Sequence, residues 1–300
     1  MKTINTTALE KNKKIINTHT FKQKWRNYKK HPFSLMVFLL VCLAAFITAA
    51  ILVILIGYIL IRGIPNLSLD LFAWEYNSEN VSMMPAIINT VIVTGLSLLI
   101  AVPLGVFSAI YLVEYAKRGS KLVGAIRLTA ETLSGIPSIV YGLFGYLMFN
   151  ITCGFGYSIL SGVLTFAIMV LPTILRTTEE ALKAVPDTYR EGSFGLGAGR
   201  LRTVFKIVLP AASPGILSGI ILSIGRIVGE TAALIYTAGT VTGVADGLLS
   251  SGRTLSVHMY ALLNEGLYME QAYATAVVLL VLVVGINALS GAVAKKMSTR

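Results

Sequence analysis

Charge is what this sequence of 300 residues has least of: Asp, Glu, Lys and Arg make up 13% of it, about half their share in an ordinary soluble domain. A soluble chain of this length buries one core and has no need of several unbroken apolar runs long enough to cross hydrocarbon. With 55% hydrophobic residues and a mean hydropathy of +0.76, composition points to a membrane protein. Cysteine is nearly absent. Cys42 lies in the first apolar run and Cys153 after the third, so no disulfide framework is expected, and nothing near them suggests a metal site. Carboxylates are scarce too, 14 against 25 Lys and Arg, for a net charge of +11. Such an excess suits nucleic acid, but the cations cluster beside apolar runs, as they do in positive-inside membrane proteins, and no nucleic-acid partner is expected. No G-x-x-x-x-G-K-[ST] loop is present, so the chain does not cradle ATP by that route.

Apolar runs of about 20 residues fall at 33–61, 83–115, 124–149, 157–175, 211–238 and 271–293. They predict an all-α, six-span membrane protein. A basic tail over 1–32 precedes the first span, and a short tail over 294–300 follows the last. The first run is too long for the 7 to 15 apolar residues of a secretory signal, so cleavage is not expected. Orientation follows from Lys and Arg: nine lie in the tail, four after the second span, six over 176–210 and three at the C-terminus. Only Arg62 and Arg253 fall on the opposite side, and Arg226 falls within a span. Both termini are therefore expected in the cytoplasm, with the tail unstructured or lying on anionic lipid of the inner leaflet.

The segment 176–210 is too rich in apolar side chains for a plain connector. Pro186 and Asp187 predict a short helix, with Asp187 capping free amides, and Gly197 and Gly199 end it; a second is expected over 200–208. Tyr189, Phe194, Leu196 and Phe205 among basic residues suit either a docked partner or a lipid surface. Glu191, Gly192 and Ser193 are followed after three residues by Gly197, and after nine more by Ile207, Leu209 and Pro210. This spacing resembles the EAA signature of ABC importer permeases. Gly192 and Ser193 replace its two alanines; both are small, though they lower helix propensity. The resemblance implies that these seven residues form the coupling loop, which fits a cytoplasmic ATPase.

Substrate has to be read from the spans. Arg226 and Glu230 lie in the fifth, where a charge costs about 2.5 to 3.5 kcal/mol at mid-bilayer. Four residues apart, they are predicted to share a helix face and to be able to pair, either neutralising each other or serving a pathway. Two small-x-x-x-small pairs, Gly215 with Gly219 and Gly225 with Gly229, predict close approach of a neighbouring helix. Arg127 and Glu131 have the same spacing and suggest a structural ion pair. The stretch from Gly225 to Ala232 resembles the R-x-x-G-E-T-A motif of phosphate permeases of the PstA and PstC kind, nearer to PstA. Ser134 to Gly145 resembles their S/A-G-I-P-S-x-V-Y-G-L-F-G motif, and the likeness spans 83–293.

The resemblance implies a type I ABC importer permease of MetI-like architecture, with Arg226, Glu230 and, more weakly, Arg176 along the substrate path. It implies no catalytic residues, metal or cofactor. The partners implied are two copies of a PstB-like ATPase, a PstC-like second permease, a PstS-like extracytoplasmic phosphate-binding protein and membrane lipid. A guanidinium suits phosphate oxygens, and an acceptor-only carboxylate suits the proton that phosphate, unlike sulfate, retains near neutral pH. Sulfate and molybdate permeases are the near alternatives. An ion-coupled carrier accounts for intramembrane charges but not for the EAA spacing.

Overall fold

Proline and glycine set where the helices of this chain begin, bend and end. The computed structural model describes residues 32–117 and 119–298, with side chains over 33–117 and 119–292. The expected tail over 1–32 lies outside these residues except for Pro32. Among the described residues every regular element is helical. Two units are distinguished, Met1–Tyr58 and Ile59–Arg300. The first contributes most of α1 (Pro32–Gly63), which carries no charge before Arg62.

The second unit begins with the end of α1, where a Cβ on Gly63 would run into the backbone carbonyl of Tyr273. It continues through α2 (Met84–Ile110), α3 (Lys121–Ser134), α4 (Ser138–Gly145) and α5 (Ile159–Ala184). Two short helices follow, α6 (Asp187–Gly195) and α7 (Arg200–Thr203), then α8 (Leu209–Gly229), α9 (Ala232–Thr237), α10 (Leu255–Glu265) and α11 (Met269–Ser298). Wider π-type turns extend α2 through Tyr111–Tyr115 and α4 through Tyr146–Thr152, and Val204–Val208 joins α7 to α8.

Among the described residues, five stretches are long and apolar enough to cross a membrane: Phe33–Asn66, Met84–Tyr115, Ile159–Ala184, Arg200–Gly229 and Met269–Ala292. A sixth forms if Lys121–Ser134 and Ser138–Thr152 count together, although the chain turns through 104° between them. The uninterrupted third span expected over 124–149 is therefore corrected. Pro137 disfavours helical backbone at Ile136 and brings no N–H of its own, so the helix ends at Ser134 and restarts at Ser138. The fifth span, expected to run to 238, breaks after Gly229, and the fourth runs on to Ala184, well past 175. The predicted second short helix is not separate, because α7 runs through the π turn into α8, and the wider turn just before Pro210 accommodates a residue that has no N–H to give to the preceding turn. α11 likewise carries helix through the tail expected from 294, as far as Ser298.

α5 is the central helix. Its Phe166, Met169, Val170 and Ile174 pack with Val93 and Ala101 of α2 and with Ala233 and Leu234 of α9. Glycine brings the neighbours in: a Cβ on Gly105 of α2 would sit 2.7 Å from Ile174, one on Gly215 of α8 would sit 2.6 Å from Ala181, and one on Gly219 would overlap Thr177. The first predicted small-residue pair thus seats α8 on α5. The second does not act this way, since a Cβ on Gly225 would make only ordinary contact with Asn287 and one on Gly229 would meet nothing.

Candidate functional site: two helix breaks and a coupling segment

The two sequence stretches singled out in the third and fifth spans meet in space. Both contain helix breaks, one at Gly135–Pro137 and one at Glu230–Thr231. Just beyond them α4 lies against α9, with a Cβ on Gly142 falling 2.8 Å from the Cα of Ala233 and 3.3 Å from the carbonyl oxygen of Ala232. Gly145 is equally confined, between Thr165 and Thr237. Helix ends leave carbonyls short of donors, and at the first break Leu133 O accepts from the Ile136 amide at 3.1 Å and from the Tyr141 hydroxyl at 2.8 Å. At the second, Oε1 of Glu230 accepts a long 3.4 Å hydrogen bond from the Ala233 amide in the first turn of α9. The carbonyl of Glu230 accepts from Ser256 Oγ of α10 at 2.6 Å.

Arg226 is half-buried in the last turn of α8. It makes no ion pair with Glu230 or any other carboxylate among the described residues. The pairing that the spacing allowed does not form, because Glu230 lies outside the helix, with extended backbone at φ −80° and ψ 129°. The structure therefore places Arg226 one helical turn before the second break and turns Glu230 towards the first turn of α9. Arg176 lies elsewhere. It is exposed, pairs with Glu180 at 3.2 Å and neighbours Thr177, the contact of Gly219. Seven residues separate Gly219 from Arg226, which puts Arg176 about 10 Å further down the helix axis. Arg176 lines a cavity of about 180 Å³ with Arg127 and Glu131. Arg127 pairs across helices with Glu179 at 2.6 Å, in place of the expected Glu131.

The segment that carries the EAA-like spacing is organised around Arg190, one of the six cations of 176–210. Arg190 of α6 binds Glu114, at the end of the second span, at 2.7 and 3.1 Å, and donates to the carbonyls of Leu182 and Val185. It also holds Asp187 at 3.2 Å, so Asp187 pairs with a side chain and makes no amide cap. One sequence signal for this anchor was available: Glu114 is an isolated carboxylate in an apolar run. Ser193 is buried with its hydroxyl 2.8 Å from that of Thr203, whereas Glu191 and Gly192 are exposed. Gly197 turns the chain at φ +81°, a conformation that favours glycine. Ile207 and Leu209 are partly buried, Pro210 is exposed, and Leu196 at the outer tip is 92% exposed.

A polytopic helical core of this kind, with broken spans and a structured loop before the fifth, defines a membrane transport subunit. Residues 101–299 match the family described as "Binding-protein-dependent transport system inner membrane component". The chain belongs to that family and is a multi-pass membrane protein. It is 35% identical over 240 residues to a probable ABC transporter permease protein, YqgI, of Bacillus subtilis (strain 168), covering 75% of this chain and 81% of that one. It is 37% identical over 208 residues to the phosphate transport system permease protein PstA of Mycobacterium leprae (strain TN), covering 67% and 66% of the two chains. Over 154 residues it is 41% identical to PstA 1 of Mycobacterium tuberculosis (strain CDC 1551 / Oshkosh), covering about half of each. Among solved structures, a bacterial alginate ABC transporter with its oligosaccharide-bound periplasmic protein aligns at a TM-score of 0.64 and 16% identity, over 91% of this chain and 98% of that one. The MetNI methionine ABC transporter in an inward-facing conformation aligns at 0.56 and 19%, over 81% and 97%. These likenesses establish the fold of an ABC importer permease.

Proposed function

We propose that this chain is one of the two permeases of an ATP-driven phosphate importer and that Arg226 is its anion-binding group in the membrane. The observation that carries the reading is a half-buried guanidinium with no carboxylate partner among the described residues, one helical turn before the second of the two breaks. Such a charge is costly within a bilayer unless water or an anion meets it, and its forked donors fit phosphate oxygens. The PstA relatives favour phosphate over sulfate or molybdate. On this reading Glu230 accepts the proton that phosphate retains, and Arg176 is a lesser station nearer the coupling end. The chain performs no chemistry of its own; a PstB-like ATPase pair docks on the exposed Glu191, Gly192 and Gly197, while the buried Ser193 packs α6 against α7 and Ile207, Leu209 and Pro210 hold the loop to α8. A PstC-like permease completes the pathway and a PstS-like protein delivers the anion from outside.

Uptake by cells carrying Arg226→Gln, Glu230→Gln and the double variant tests this, with assembly of the transporter followed in parallel. Arg226→Gln should abolish phosphate uptake while the complex still assembles, and Glu230→Gln should lower the preference for phosphate over sulfate. If the two residues only neutralised each other, breaking the pair would cost about 3 to 5 kcal/mol and the double variant would restore assembly and uptake. A double variant that transports phosphate normally refutes the pathway role.

A further inference from the structure

A cavity rich in charge lies at the other end of α8, against the coupling segment. It encloses about 540 Å³ between the end of the second span, α3, α5, α6 and α7, within the size range of small-molecule sites. Leu209, where α8 begins, is 17 residues from Arg226, so the cavity is about 25 Å away along the helix axis. Five cations line it, Lys117, Arg127, Lys183, Arg190 and Arg200, against only two carboxylates, Glu114 and Asp187.

Three of the cations are engaged. Arg190 is held by both lining carboxylates, and Arg127 and Lys183 share Glu179, each at 2.6 Å. Even with Glu179 counted, cations outnumber carboxylates five to three. Lys117 and Arg200 have no carboxylate within ion-pair distance among the described residues. Arg200 lies 5.3 Å from the ring centroid of Tyr115, a cation–π contact that orients its fork without neutralising it. Two unneutralised cations, one a guanidinium, on a concave wall with surplus positive charge are the arrangement that takes up a phosphoryl group.

We propose that this cavity binds a phosphate-bearing anion between Lys117, at the end of the second span, and Arg200 of α7, and that occupancy ties the coupling segment to the helix bundle. Free orthophosphate and the headgroup of an anionic lipid share this chemistry. The site is independent of the substrate assigned to Arg226.

Hydrogen exchange of the purified full chain in nanodiscs reads the effect locally, at the amides of 111–117 and 187–203. In phosphatidylcholine nanodiscs, orthophosphate at ten times its dissociation constant should slow exchange there about tenfold where opening requires release of the ligand; potassium chloride at matched ionic strength should not. If the source is lipid, nanodiscs containing phosphatidylglycerol give the same protection with no phosphate added. Lys117→Gln with Arg200→Gln should remove the protection; both positions are exposed, so the fold tolerates the change. Lys117→Arg with Arg200→Lys should restore it. In an Arg226→Gln chain the protection should persist, and its loss there would trace the effect to the pathway and overturn the proposal. Protection by neither source, or protection that survives the double glutamine change, overturns it as well.

Discussion

Arg226 and Arg253 are both withdrawn from water and both lack a carboxylate partner among the described residues, yet they do different work. Arg253, in the loop before α10, is 3% exposed, and its guanidinium lies 4.8 Å from the ring centroid of Tyr76. Its carbonyl accepts from Asn89 of α2 at 3.2 Å, so the residue fastens the loop. Beside it, His258 is fully buried, and burial first, then the charge of Arg253, pulls its pKa from 6.5 down to about 3. The imidazole is therefore neutral in the fold and takes up a proton on unfolding wherever pH lies between about 3 and 6.5. The resulting stability is complete above 6.5 and is lost as pH falls through that window. Between pH 7.5 and 5 the loss should be about 2 kcal/mol. Thermal unfolding of the solubilised protein across that range checks it, and His258→Asn should flatten the slope.

At the scale of elements, the paired breaks depend on glycine at the point of contact. A Cβ on Gly142 meets the backbone of α9, which has no side chain to swing aside. Gly142→Val should thus force α4 and α9 apart and cost about 1 to 3 kcal/mol, lowering the melting temperature together with uptake. Gly95→Val in α2, where a Cβ meets nothing within 4 Å, is the control and should leave both within narrow limits. Much of this architecture was legible beforehand. Span number, the start of α6 at Asp187 and the turn at Gly197 follow from apolar run length and from proline and glycine chemistry. The breaks were written in Gly135-Ile136-Pro137 and Gly229-Glu230, but hydropathy runs straight through both, because a break whose backbone is satisfied by Tyr141 and Ser256 needs no polar sequence of its own. Cross-helix pairs such as Arg190 with Glu114, or Arg127 with Glu179, depend on tertiary neighbours 76 residues apart in the first case, and helical spacing sees only partners three or four positions away.

For the molecule as a whole, the direction in which it crosses the membrane decides which end meets an ATPase and which meets a binding protein. The bias of 22 Lys and Arg on one side against two on the other predicts the coupling segment in the cytoplasm. It rests on loop charges, and among the described residues most of these lie at exposed positions. Arg253 is an exception: buried in the fold, it still weighs on the outer side during insertion, because insertion precedes packing. Cysteine labelling tests the orientation directly. Both native cysteines are free and exposed, so Cys42→Ser and Cys153→Ser are needed as background. Single cysteines are then placed at Ser78, at Leu249, which is 63% exposed, and at Leu196, which is 92% exposed. A membrane-impermeant maleimide added to intact cells should label Ser78→Cys and Leu249→Cys, and should reach Leu196→Cys only after permeabilisation. Because Leu196 is the more exposed of the two leucines, failure to label it in intact cells reflects the membrane barrier and not burial. Labelling of Leu196→Cys from outside would invert the protein and with it the assignment of α6 and α7 to the ATPase.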